Sequence, residues 1–130
     1  MRYLLDTNAI IGLLDGHRQI LRNIRLRRAG DIGLSVIVAH ELYFGAHRSG
    51  RAAANLARID ALRFARVPFD LEDARLAGAI RSELAARGVP IGAYDVLIAA
   101  QARSRDLTLI TRNVGEFSRV PGLRWEDWES

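Results

Sequence analysis

The chain contains no cysteine, which excludes disulfides and thiolate metal sites and makes a reducing cytosol its expected home. It contains no lysine either: all 19 basic residues are arginine. A GC-rich genome produces that preference, so arginine over lysine carries no functional weight by itself. The absence does remove lysine as a partner for any buried carboxylate. No apolar run approaches the length of a bilayer span. No basic segment followed by a long apolar one opens the chain, and an acid arrives at Asp6, so no signal peptide is expected. Internal repeats, low-complexity stretches and linkers are all missing.

What is present is an ordinary globular composition. A length of 130 residues, 49% apolar and 26% charged, suits one domain over 1–130 with a real core. The formal net charge of +4 and a pI near 10.6 fit a polyanionic substrate or an acidic protein partner.

Short apolar segments alternate with helical ones. Tyr3 to Leu5 reads as a strand, followed at once by a helix to about Leu14 that Thr7 or Asn8 can cap. Ile20, Leu21, Ile24 and Leu26 lie among Arg22, Arg25, Arg27 and Arg28, giving a basic amphipathic helix. Ile32 to Ser35 is a second strand, with Ser35 capping a helix over Val36 to His47. Helix resumes over Ala52 to Phe64, and Arg66 to Phe69 is a short strand. Asp70 and Asp73 form an acidic capping box for a helix to about Arg87. After a glycine-rich loop, Ala93 to Arg105 is helical, Leu107 to Thr111 is a buried strand, and Leu123 to Trp125 is a last edge strand. This alternation predicts a three-layer α/β/α sandwich around a mostly parallel sheet with right-handed crossovers.

In a parallel sheet all strand ends of one kind share an edge, and open α/β sheets place ligands at the carboxyl edge. Asp6 ends the first strand, Glu41 lies on the helix after the second, Asp95 opens the helix after the glycine-rich loop, and Thr111-Arg112-Asn113 with Glu116 follows Ile110. Converging carboxylates repel one another, and a divalent cation resolves the conflict. Oxygen ligands without cysteine or paired histidine favour magnesium or manganese over zinc. His17, His40 and His47 lack metal-ligand spacing. Such a centre can activate water for in-line displacement at a phosphodiester.

Four segments carry a family resemblance. Leu4-Leu5-Asp6-Thr7-Asn8, Ser35-Val36-Ile37-Val38-Ala39-His40-Glu41-Leu42, Tyr94-Asp95-Val96-Leu97-Ile98-Ala99-Ala100 and Thr111-Arg112-Asn113-Val114-Gly115-Glu116-Phe117 resemble the four motifs of PIN-domain ribonucleases. Their order and spacing, and the closing Pro121-Gly122-Leu123-Arg124-Trp125-Glu126-Asp127-Trp128, resemble the VapC toxins of bacterial toxin–antitoxin pairs. The resemblance implies a magnesium-dependent endoribonuclease, with manganese as a substitute, in which Asp6, Glu41 and Asp95 hold the metal. Thr7, Asn8, Ser35 and Thr111 would orient Asp6 or the substrate. The chain departs from the family at Asn113, where many PIN domains have aspartate, so Glu116 is the candidate to complete the site. The resemblance also implies a VapB-type antitoxin that blocks the acidic site, a homodimer, and operator DNA bound only through the antitoxin.

Each residue has a plainer reading. Asp6 can be a helix cap, Asp95 an acid favoured by a helix dipole, Glu41 a solvated helix residue, Glu116 an exposed loop acid, and the arginines a solvated face. Trp125 and Trp128 are expected to pin the tail to the sheet. Asn113 leaves open a catalytically weak PIN-like module that binds RNA without cutting it. A phosphohydrolase of the haloacid-dehalogenase type, with Asp6 as nucleophile, wants a second aspartate where Asn8 stands and a lysine, as does a receiver domain.

Overall fold

The computed structural model describes all 130 residues. Five strands form one parallel sheet: β1 (Tyr3–Leu5), β2 (Ile32–Ser35), β3 (Ala65–Val67), β4 (Thr108–Ile110) and β5 (Trp125–Glu126), in the order β3-β2-β1-β4-β5. Seven α-helices connect them: α1 (Thr7–Leu14), α2 (Arg18–Arg25), α3 (Val36–Arg48), α4 (Ala52–Asp60), α5 (Leu71–Ala86), α6 (Ala93–Ser104) and α7 (Val114–Phe117). The three-layer α/β/α architecture expected from the alternation is therefore the one found. No helix is long and apolar enough to cross a membrane.

The strand order reverses beside β1. The chain walks outward from β1 through β2 to β3, then returns to lay β4 on the other side of β1. Right-handed crossovers then put α1 to α4 on one face and α5 and α6 on the other. The carboxyl ends of β1 and β4 are the point where a doubly wound sheet opens a crevice. The Asp6 N–H donates to the Ile110 carbonyl at 3.0 Å, locking these two ends in register.

The core explains why the strands are so short. Leu4, Leu5, Ile32, Leu34, Leu109 and Ile110 are enclosed on both faces, as parallel strands between helix layers must be. Across α6, Val96, Ile98, Ala99, Ala100 and Ala102 are all buried. Its one buried polar residue, Gln101, is satisfied: Nε2 donates to the Val67 and Pro68 carbonyls at 3.2 and 3.0 Å, and Oε1 accepts from Ser35 Oγ at 2.5 Å. Gln101 thus stitches α6 to the ends of β2 and β3.

Three local expectations change. The cap of α1 is Asp6 rather than Thr7 or Asn8, because its Oδ1 accepts the Ala9 N–H at 2.8 Å. Leu26 lies beyond α2 and is 75% exposed, so it is no part of that helix's apolar face. Helix α4 stops at Asp60, since residues 62–64 must extend to reach β3 while Leu62 and Phe64 pack on the core. The short helix α7 spans only one turn and has no periodicity to read. The capping box at Asp70 and Asp73 is present in both directions.

Candidate active site

Asp6 is held by the backbone on both sides. It is 4% exposed, sits at the end of β1 and caps α1. Burial pushes its pKa up to about 6, and the fields of Glu129 and Glu41 add to the rise. The Thr111 side chain and the Ala9 N–H hydrogen-bond to it and oppose the shift. Its capping role and its place in the acidic site are thus one arrangement, since the crevice lies where β1 hands over to α1.

Glu41 arrives on the second turn of α3, which packs against α1. Thr7 Oγ1 donates to Glu41 Oε1 at 2.7 Å. Thr7 therefore orients Glu41, rather than Asp6 as expected. Asn8 is exposed and lines a cavity with Gly12, His17, Arg112 and Glu129.

Asp95 occupies the first turn of α6. A Cβ at Gly92, the residue before that helix, would stand 2.9 Å from Asp95 Oδ2, so glycine there leaves the carboxyl its room. Burial raises the Asp95 pKa to about 7, helped by a hydrogen bond to Glu116 and by the charges of Glu116, Glu41 and Asp6. Glu116 moves the opposite way: its hydrogen bond with Asp95 lowers its pKa, and burial only partly offsets this. The two carboxyls are thus driven in opposite directions, Asp95 up and Glu116 down.

Asn113 answers the departure noted in the sequence. Its Nδ2 donates to Glu116 Oε2 at 2.6 Å, and the Gly92 N–H donates to Glu116 Oε1 at 3.3 Å. Asn113 holds Glu116 in place, and Glu116 supplies the carboxylate facing Asp95. Thr111 is buried, and its Oγ1 also accepts the Asn113 N–H at 2.9 Å.

Ser35 does not join this group. It is fully buried; its Oγ accepts the Ile37 and Val38 N–H groups and donates to Gln101. Its expected role in orienting substrate gives way to capping α3, because the hydroxyl has no open side.

Asp6, Glu41, Asp95 and Glu116, from four different segments, thus lie within one another's field. No three of them close on a common point as a finished metal cage, as expected of carboxylates that repel one another. The donor set still fits a hard divalent cation: all oxygen, anionic, with two acids whose pKa burial raises and neighbouring carboxylates raise further. One further oxygen points the same way. Glu129 Oε2 is buried without a hydrogen-bond partner, and Glu129 raises the Asp6 pKa more than Glu41 does. Sequence reasoning missed Glu129; its signal was its place next to Trp128, the residue expected to anchor the tail.

A parallel sheet with carboxylates gathered at its switch point defines the class of acidic-cleft α/β proteins suited to divalent-cation chemistry on phosphodiesters. Comparison with known proteins narrows it. The PIN domain model matches residues 3–123. The tRNA(fMet)-specific endonuclease VapC of Salmonella typhimurium is 36% identical over 130 residues, 98% of each chain. The protein of the same name from Shigella flexneri is 38% identical over 130 residues, again 98% of each. The structure superimposes on that of DNA-bound VapBC from Salmonella typhimurium with a TM-score of 0.93 and 37% identity, covering 98% of both chains. VapBC2 from Rickettsia felis, bound to a promoter DNA fragment, gives 0.91 at 33% identity over 98% of this chain and 99% of that one. The chain belongs to the PIN-domain family and, within it, to the VapC ribonucleases.

Proposed function

We propose that this protein is the endoribonuclease toxin of a VapBC-type pair, hydrolysing RNA phosphodiester bonds at a divalent-cation centre held by Asp6, Asp95 and Glu41. The observation that carries this is the gathering of acids from four segments at the switch point, where burial, with the neighbouring carboxylates adding to it, raises both Asp6 and Asp95. Magnesium is the cation that suits an oxygen-only set, with manganese as substitute. When bound, such an ion lowers the pKa of water and offsets charge developing on the phosphate oxygens.

The side chains divide the remaining work. Asp6 is immobilised by its cap and by β4, so it sets the position of the centre. Thr7 fixes the rotamer of Glu41. Glu116, held by Asn113 and the Gly92 N–H, adds to the burial that raises the Asp95 pKa and supplies a further carboxylate facing it. Asn113, which motivates the non-cutting alternative, does not reduce the number of acids, because Glu116 stands in.

The basic cluster splits into two roles. Arg27 folds over the rings of Tyr3 and Trp128 at 5.2 and 4.1 Å and is structural. Arg18, Arg22 and Arg25 are exposed on one stripe of α2 and line a groove with no acidic wall. His17 lies in both that groove and the Asn8–Arg112 cavity. The basic groove of Arg18, Arg22 and Arg25 suits the backbone of RNA.

An apolar groove beside the site, lined by Ile11, Leu14, Leu42, Ala46 and Ile59, suits a helix of a VapB-type antitoxin. Operator DNA would be bound through that antitoxin, as a complex. Intracellular RNA as substrate places the protein in the cytoplasm.

The test is cleavage of RNA by purified, antitoxin-free protein with magnesium, manganese or EDTA. The first substrate is tRNA(fMet), named in the Salmonella and Shigella relatives. Cutting that needs the cation and disappears in Asp6→Ala and Asp95→Ala supports the reading. Full activity in purified Asp95→Ala, or in EDTA, overturns it.

A further inference from the structure

Glu129 lies outside the four motifs, yet the fold brings it against α1, into the cavity that Asn8 lines two residues after Asp6. The tail that carries it is fixed at several points. Trp128 is 3% exposed, its ring meets Tyr3 edge-on at 5.0 Å, and the Arg27 guanidinium covers it. Asn23 Nδ2 donates to the Trp128 carbonyl at 3.0 Å. The Glu129 N–H donates to Asp127 Oδ1 at 2.8 Å.

These contacts press the Glu129 side chain against α1. Its Oε1 fills the space a Cβ on Gly12 would need, 2.7 Å away. Its Oε2 is the one buried side-chain polar atom in the molecule without a hydrogen-bond partner. Leaving a carboxylate oxygen buried and unpaired is costly. Arg112 lines the same cavity but forms no ion pair with Glu129. The cavity it shares is also lined by Asn8, Asp15 and His17, none of which hydrogen-bonds to it, and its charge reaches Asp6 at the start of α1. A free carboxylate oxygen beside a second carboxylate is what a hard cation, or a water in its hydration shell, takes as a partner.

We propose that Glu129 is an additional acidic group of the metal centre, holding the divalent cation or its hydration shell on the Asn8 and Arg112 side of Asp6. This rests on the reading of Asp6, Glu41 and Asp95 as metal-holding acids. It also gives the tail a second duty: Trp128 anchors the carboxylate as well as the sheet edge.

The test is binding of Mn2+ to the full-length, chelator-treated protein by titration calorimetry, in wild type, Glu129→Gln, Gly12→Ala and Asp6→Asn. Glu129→Gln is expected to weaken Mn2+ binding about tenfold, the scale of losses when a group supporting a metal site is removed. Gly12→Ala keeps every carboxylate and favours helix, but its methyl group displaces Oε1, so it should weaken binding in the same direction without lowering the melting temperature. In RNA cleavage, both variants should need more metal for half-maximal rate. If Glu129→Gln binds Mn2+ within twofold of wild type while Asp6→Asn loses it, the metal reading stands and the role of Glu129 falls. If wild type binds no Mn2+, or Asp6→Asn binds it as wild type does, both fall together.

Discussion

Thr7 and Glu41 are 34 positions apart, and a 2.7 Å hydrogen bond from Thr7 Oγ1 to Glu41 Oε1 joins the first turn of α1 to the second turn of α3. Glutamate has three side-chain torsions, and ordering such a side chain costs on the order of 1 kcal/mol. A hydroxyl that holds it in advance removes that cost from the metal- and substrate-binding steps. Thr7→Val keeps the shape and removes the donor. It should lower RNA cleavage by roughly tenfold, the scale of about 1.4 kcal/mol in a barrier, and Thr7→Ser should restore most of the rate. Equal activity of Thr7→Val and wild type would show that Glu41 needs no such hold.

Asp6 stores instability. Its folded pKa of about 6 lies above the ordinary 3.8, so the folded state binds the proton more tightly than the unfolded one. The stabilising effect of that proton is complete below pH 3.8 and is lost as pH rises through about 6. Asn keeps the capping oxygen and carries no charge. Asp6→Asn should therefore stabilise the protein in EDTA by up to about 3 kcal/mol above pH 7, about half as much at pH 5, and almost nothing by pH 4. Denaturant unfolding across that range measures it. A stability gain independent of pH would remove ionisation of Asp6 as the cause.

The backbone of this site was more legible than its hydrogen bonds. β1 and β2 follow from enclosed apolar runs, and Asp6, Glu41 and Asp95 from their placement at or after strand ends. The capping of α3 by Ser35 was readable, but Glu129, the Glu41 partner of Thr7 and the Gln101 partner of Ser35 were not, because each depends on how α1 packs on α3, α6 on β2, and the tail on α2. Such contacts are set by packing between elements distant in sequence, which periodicity does not report. Asn113 shows the same limit: its type suggested a weakened site, while its side-chain nitrogen turns out to position Glu116.

Ser35 supplies a structural rather than a chemical prediction. Its hydroxyl caps α3 and meets Gln101 Oε1, and both residues are fully buried. Ser35→Ala removes the cap and leaves the Gln101 oxygen unpaired, at a cost of about 2–3 kcal/mol from the two effects together. The melting temperature should fall, while cleavage at a temperature where the variant is folded should stay near wild type. A selective loss of kcat in folded Ser35→Ala would return Ser35 to the substrate.

Asp73 is a second buried acid with the opposite sign. It is fully enclosed; burial alone would raise its pKa, but Arg105 at 2.5 Å, Ser104 and the Asp70 capping bond outweigh that and lower it. A lowered pKa gives stability that is present above the ordinary carboxylate range and is lost as pH falls through the folded value. Asp73→Ala breaks the capping box and strands Arg105, so a loss of about 3–5 kcal/mol is expected. The loss should shrink in acid, where wild type loses the same contribution. Chemical unfolding at neutral pH and near pH 3 compares the two, and an equal loss at both would assign the effect to packing alone.

Asp95 and Glu116 decide the working pH of the site. On the proposed reading Asp95 must be ionised to hold the metal, and burial first, then Glu116 and the charges of Glu41 and Asp6, raise its pKa to about 7. Metal affinity and cleavage at subsaturating metal should therefore rise about tenfold per pH unit below neutrality and level off above it. Glu116→Gln removes a charge and the proton acceptor that hold the Asp95 pKa up. The midpoint of the rise should then move to lower pH, even though the plateau falls with the loss of an acid. Mn2+ affinity measured from pH 5.5 to 8.5 separates the two effects, since one is a shift along the pH axis and the other a change in height. A midpoint that stays near neutrality in Glu116→Gln would mean that Asp95 owes its proton to burial rather than to its neighbour.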